Sequence, residues 1–283
     1  MRPEPLPPGT RRKGREETRM SNDYTEAALA MLRERCATVG AEIDYLPTVD
    51  STNERAKALA SGGAPHGSVV LADAQTHGRG RMGRSWFSPP GKNIYTSVIL
   101  RPPTTKHLCA LTMTMGVAVA GAVSPFLPTP ATLEWPNDLF WGGKKLAGIL
   151  TESAITGGRV EFVVVGIGID VNETNFPSEI PATSMRLAAG REFDRIALLE
   201  VLYPLLEMWY NHFVAGGLEK IARAWRSRSD IFGRVVTLSR SGAPPISGIA
   251  RKITEDGALV VETERGIETI HSGEVTGDPA GIG

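Results

Sequence analysis

The chain has 283 residues, 41% of them hydrophobic, which is enough to bury a sizeable core and suits one large domain plus a small one. Lysine plus arginine and aspartate plus glutamate number 31 each, so no charge excess advertises nucleic acid or a membrane surface, and anion recognition must come from a local cluster. No apolar stretch is read as reaching the ~18 residues that span a bilayer. Cys36 and Cys109 lack metal-ligand spacing and are read as reduced, buried thiols of a cytoplasmic protein.

Residues 1–20 hold six basic and three acidic residues and four prolines without apolar periodicity, a composition that predicts a disordered tail. They lack the apolar middle of a secretion signal, and Glu4, Glu16 and Glu17 argue against a transit peptide. From Tyr24 to Val39, Ala28, Met31, Leu32 and Cys36 recur at helical spacing. A second helical run covers Glu54 to Ser61, and Ser51-x-x-Glu54 before it has the form of a capping box. Strands are expected at Ser68–Ala72 and Asn93–Leu100, a buried helix at Leu108–Val123, and a short strand at Ala131–Trp135 halted by Pro136. Leu146–Thr151 and Val160–Val165 suit a hairpin through Gly157-Gly158 with a rather long loop. Glu192–Phe213 and Leu218–Ser227 read as helices, with a kink at Pro204.

Near residue 230 the texture changes to short β-runs at 234–238, 246–252, 258–262 and 267–271, separated by Gly-containing turns. The pattern predicts an α+β protein: a mixed-sheet domain flanked by helices over 21–230, then a small β-barrel over 231–283.

The densest chemical feature is the run Gly78-Arg79-Gly80-Arg81-Met82-Gly83-Arg84, directly after a strand. Glycine lets backbone N–H groups approach an anion, and each arginine adds a fixed charge and a planar fork of donors for phosphate or carboxylate oxygens. An RNA-binding RG segment is the other reading, but such segments lie in long low-complexity regions and this one lies between two strands. The P-loop pattern GxxxxGK[ST] is absent. Gly78, Gly80 and Gly83 fit GxGxxG spacing, yet no βαβ context follows them.

Gln75 with GRGRMGRSWFSPPGKNIYTSVIL resembles the nucleotide- and biotin-binding segment of biotin protein ligases. DSTN at 50–53, WPND at 135–138, KKLAGILTE at 144–152 and VVVGIGIDVN at 163–172 follow the family's order, and Gly273-Glu274-Val275 resembles the end of its C-terminal barrel. The resemblance covers roughly 40–276. It implies the biotin/lipoate ligase type of catalytic domain and a monofunctional member without the DNA-binding domain of repressor-type relatives. It also implies biotin and ATP as substrates, Mg²⁺ with the phosphates, and a biotin carboxyl carrier protein as partner. Homodimers are common in the family, and neither nucleic acid nor membrane is an expected partner.

Residue by residue, the resemblance implies that Ser51, Thr52 and Asn53 lie near biotin's ureido ring, with Gln75 a second contact. Gly78, Arg79, Gly80 and Arg81 form the anion loop, Arg81 stabilising transition-state charge. Lys145 matches the catalytic lysine. Trp86 either stacks on the purine, shapes the closed loop, or is a core residue. Asn137 matches an adenine contact, or is a turn residue after Pro136. Gly166 and Gly168 admit the flat biotin rings, or mark a strand bulge. Glu274 is a candidate contact across the domain boundary. The chain departs from the family at Glu134, where lysine is usual, and at Asp170, where asparagine is preferred. Those departures keep open a biotin-binding protein without catalysis. A lipoate or octanoate ligase shares the fold, but neither it nor an octanoyl transferase is expected to carry this loop and terminal domain.

Overall fold

A computed structural model describes residues 23–240 and 242–275; the tail expected over 1–20 lies outside them. The first sheet has seven strands: β1 (Ile43–Val49), β2 (Val69–Gln75), β3 (Ile94–Leu100), β4 (Thr132–Glu134), β5 (Asp138–Trp141), β6 (Lys144–Thr156) and β7 (Arg159–Ile169). Their order is β1-β2-β3-β7-β6-β5-β4. β1 and β2 run parallel and the other pairings are antiparallel, so the sheet is mixed. The helices are α1 (Glu26–Glu34), α2 (Thr52–Ser61), α3 (Leu108–Val123), α4 (Met185–Ala189), α5 (Arg195–Val214) and α6 (Leu218–Arg226).

Alternation along the strands assigns the two faces. Val163, Val165, Ile167 and Ile169 of β7 enter the main core with α3, α5 and α6. Phe162 and Val164 point the other way, onto a smaller cluster with Ala56 and Ala60 of α2. Continuing that parity, Gly166 and Gly168 fall on the α2 face, so an apolar stripe gives way to bare backbone. The cavity described below opens there.

α3 is buried over most of its length, as an apolar helix without a polar face must be. With the turn that follows it, Leu108–Phe126 spans 19 residues and is long and apolar enough to cross a membrane by length and composition, which corrects the expectation that no stretch reaches membrane-spanning length. The segment packs inside the core against α5, α6 and β6. Loop Gly157-Gly158 is a two-residue turn with both φ values positive, 59° and 75°, because β6 and β7 extend right up to it. β1 and β5 were not expected. Asp44 and Pro47 interrupt the apolar pattern of β1, and β5 has only four residues. The first helix stops at Glu34 rather than Val39, and α5 carries Pro204 within it.

The second sheet contains β8 (Val235–Arg240), β9 (Ala243–Ile253), β10 (Leu259–Thr263), β11 (Gly266–Ile270) and β12 (Glu274–Val275). Its order is β11-β10-β9-β8-β12, all antiparallel. Among the described residues β11 and β12 are unpaired edges, so the expected closed barrel is corrected to an open five-stranded sheet. Over the described residues β12 pairs only with β8 and β11 only with β10. The sheet docks on the larger domain through Trp135, whose Nε1 donates to Gly257 O at 3.0 Å, and through one continuous hydrophobic core. Both described cysteines are free; Cys36 is half-buried, its thiol pushed up to about 11 by burial, and Cys109 is exposed, against the expectation that both are buried.

Candidate active site

A cavity of about 450 Å³ opens on the α2 face of the first sheet. Of the candidate residues, Ser51, Thr52, Asn53, Gln75, Arg79, Gly80, Arg81, Trp86, Asn137, Lys145, Gly166 and Gly168 all line it. Gly78 stands behind the loop, where a Cβ would lie 2.6 Å from Ser88 Oγ and from Trp86 O.

At one end of the cavity is a polar cluster. Gln75 Oε1 accepts from Thr52 N at 2.9 Å and lies 3.1 Å from Thr52 Oγ1, while Gln75 Nε2 donates to Ser88 Oγ at 3.0 Å. Ser97, fully buried on β3, reaches Thr52 Oγ1 at 2.8 Å and Asn53 Oδ1 at 2.7 Å. The capping box does not form: Ser51 makes no side-chain cap bond, and Glu54 instead pairs with Lys57 and Arg79. Gly166 is required because Asn53's carboxamide occupies the space a Cβ would take. No register shift interrupts β7 at Gly166 or Gly168, so neither glycine marks a bulge.

The floor is formed by Trp86. Gly148 and Gly168 are directly paired across β6 and β7. A Cβ on Gly168 would lie 2.6 Å from the indole Cε2 and Nε1, and one on Gly148 would lie 3.0 Å from Cζ3. The indole Nε1 is buried without a hydrogen-bond partner, and Lys145 Nζ stands 5.3 Å from the ring centroid.

At the other end, Arg81 Nη1 donates to Asn137 Oδ1 at 3.0 Å, and Asn137 Nδ2 donates to Ile149 O at 2.7 Å. Asn137 thus fixes the arginine to the β6 backbone. Burial lowers the Arg81 pKa, and the carboxylates of Glu274 and Asp138 oppose this. Lys145 Nζ donates to Asp138 Oδ2 at 2.6 Å, leaving Asp138 Oδ1 buried and unpartnered. Asp138 was within the WPND block but was not singled out by sequence; its role depends on β5 folding back beside β6. The loop is folded on itself, with Gly80 N donating to Arg84 O at 2.7 Å and Trp86 N to Gly78 O at 2.9 Å. Arg84 pairs with Glu274 of β12, so the second sheet reaches the loop.

The two departures acquire physical content. Asp170 is buried, accepts from Asn93 Nδ2 at 2.9 Å, and has its pKa raised well above the usual carboxylate value by desolvation, with Lys145 opposing. A protonated acid offers one donor and one acceptor, as asparagine's carboxamide does. Glu134, cross-strand from Asp138, is pushed up to about 7 by burial and by Asp230 and Asp138. Among the described residues no group of three or more His, Cys, Asp or Glu stands together as a metal site.

A cavity with a neutral hydrogen-bonding head, an aromatic floor and a cationic end suits a ligase that joins a small acid to a nucleotide. Residues 45–170 match the model of the biotin/lipoate A/B protein ligase family, and residues 231–276 match the biotin protein ligase C-terminal domain. The biotin–[acetyl-CoA-carboxylase] ligase of Paracoccus denitrificans is 34% identical over 81% of this chain and 98% of its own length. The bifunctional ligase/repressor BirA of Bacillus subtilis (strain 168) is 36% identical over 84% of this chain and 74% of its own. The biotin protein ligase of Aquifex aeolicus in complex with biotin and ATP superposes with a TM-score of 0.73 at 32% identity, covering 83% of this chain and 97% of that one. The chain belongs to the biotin protein ligase family.

Proposed function

We propose that the protein activates biotin with ATP to biotinyl-5′-AMP and pyrophosphate, and then transfers the biotinyl group to a lysine of a biotin carboxyl carrier protein. The observation that carries this reading is the arrangement of one cavity: Thr52 and Gln75 at the head, Trp86 on the floor, and Arg81 and Lys145 at the cationic end.

In the first half-reaction the biotin carboxylate attacks the α-phosphorus and pyrophosphate leaves. Two anions converge, and the charge that builds on the α-phosphate oxygens is met by Arg81, held in place by Asn137, and by Lys145, held by Asp138. In the second, the carrier lysine attacks the acyl carbon and AMP leaves with the bridging oxygen. No side chain of this chain has to form a covalent bond. Asp138 Oδ1, a buried acceptor without a partner, would be the protein's contact to a Mg²⁺ ion bound with the nucleotide, which would supply neutralising charge to the phosphates.

The test is purified protein with biotin, Mg²⁺ and ATP labelled at the α-phosphate. Labelled biotinyl-adenylate forms, and it is consumed when a carrier domain is added. Lipoate or octanoate forming the adenylate in preference to biotin would assign the same fold to a different acid, and bound biotin without adenylate would leave only a binding protein.

A further inference from the structure

Glu152 lies on β6 below the polar head of the cavity and does not line it. Its parity on the strand, shared with Gly148 and Leu150, turns it towards α2. Oε1 accepts from Lys57 Nζ at 3.0 Å, and Oε2 accepts from Asn53 Nδ2 at 2.8 Å. Asn53 is 3% exposed, so its carboxamide has no water to fall back on.

A chain of hydrogen bonds with a fixed direction follows from these contacts. A carboxylate only accepts, so the Asn53 nitrogen must face Glu152, and a second acceptor, Leu150 O at 3.4 Å, lies on the same side. Asn53 Oδ1 therefore faces Ser97, 2.7 Å away, and has no proton to give. Ser97 has one proton, and it goes to Asn53. Thr52's own proton goes to Gln75 Oε1 at 3.1 Å, and Ser97 Oγ, 2.8 Å from Thr52 Oγ1 and oriented to donate to it, is held back by its bond to Asn53. The lone pairs of Thr52 Oγ1 are left for the cavity.

On the reading that biotin occupies this cavity, we propose that Glu152 is a positioning residue whose charge sets the polarity of the head group site, presenting Thr52 Oγ1 as an acceptor for a ring N–H of the ligand. Lys57 holds the carboxylate in place and ionised from the solvent side. The selectivity is for a cyclic group with an N–H at this position, and it is imposed by a residue that never touches it.

The experiment is isothermal titration of biotin into wild type, Glu152→Gln, Asn53→Asp and the double variant, with ATP affinity and melting temperature measured alongside. In Glu152→Gln the new amide gives its oxygen to Lys57 and its nitrogen to Asn53, which reverses the chain and points Ser97's proton at Thr52. The biotin Kd rises about tenfold, as expected for one lost hydrogen bond, while the ATP Kd stays within about twofold. Asn53→Asp places two carboxylates together and weakens biotin similarly. The double variant regains the original polarity, since the new carboxylate at position 53 accepts both from the new amide at position 152 and from Ser97. Its biotin Kd returns to within about threefold of wild type. A purely structural loss would not be restored by combining two damaging changes. Unchanged biotin affinity in folded Glu152→Gln, or a double variant no better than the single ones, overturns the inference and leaves the ligase reading standing. Wild-type protein that binds no biotin removes both.

Discussion

The indole of Trp86 lies where a side chain at position 168 would stand, its Cε2 and Nε1 each 2.6 Å from the site of a Gly168 Cβ. Two glycines paired across β6 and β7 thus make the seat for the indole that follows the anion loop. Gly168→Ala pushes the ring out. Overpacking of this kind costs about 1–3 kcal/mol where the neighbour cannot yield, but this neighbour sits on a loop, so the loss appears in the loop's position. Tryptophan fluorescence shifts and adenylate formation falls by at least about tenfold, with little change in melting temperature. A variant with wild-type adenylation would show that the Trp86 seat is not used.

Arg81 and Lys145 act on the same developing charge, one from the loop and one from β6. Arg81→Ala lowers the rate of adenylate formation by about 10²–10³-fold, the usual effect of removing one such donor. Single-turnover kinetics separates that from a binding loss. Asn137→Ala also lowers the rate, by less, because it releases the Arg81 guanidinium without removing it.

Glu134 brings a carboxyl group where burial and two neighbouring carboxylates disfavour its charge. Its folded pKa, about 7, lies above the ordinary 4.5, so ionisation is costlier in the folded protein. The stability this group contributes is fully present below pH 4.5 and is lost as pH rises towards 7. Glu134→Gln therefore melts above wild type at pH 8 and converges on it near pH 4.5. Its KM for ATP is expected to stay flat from pH 6 to 8, where that of wild type is predicted to rise as a negative charge appears beside the phosphates. Parallel melting curves at both pH values would contradict the shift.

Asp170→Asn is predicted to be silent. Burial favours the protonated acid, and the carboxamide replaces its donor and acceptor one for one. The KM for ATP changes by less than about twofold.

Arg195 tests the frame rather than the chemistry. Fully buried, it donates to Asp23 at 2.8 Å and Asp73 at 2.7 Å and stacks 4.4 Å from the Tyr24 ring. Arg195→Met leaves those carboxylates unpaired and destabilises by about 3–5 kcal/mol in chemical denaturation.

The elements that touch the cavity were legible in the sequence wherever one short segment carries the signal. The glycine–arginine loop, the 52–53 pair and Lys145 announce themselves by residue type and neighbours. α3 was legible from apolar content alone, and the 157–158 turn from its glycines, although the strands beside it run longer than their apolar runs. What escaped depends on pairing between segments. Asp138 matters because β5 folds back beside β6 and brings it to Lys145, and no spacing within WPND states that. Glu152 matters because β6 passes under α2, 99 positions from its partner Asn53. The open second sheet escaped for the same reason: closely spaced strands with glycine turns fit a barrel or an open sheet equally, and closure is decided by whether β11 and β12 meet.

The most direct test of the whole account labels the oxygen that changes hands. Biotin carrying ¹⁸O in its carboxylate is turned over with ATP and a biotin carboxyl carrier domain, and the AMP is analysed by mass spectrometry. Attack of the carboxylate on the α-phosphorus, followed by attack of the carrier lysine on the acyl carbon, delivers one ¹⁸O to AMP for each biotin transferred. Unlabelled AMP, or label found in inorganic phosphate beside ADP, would contradict it.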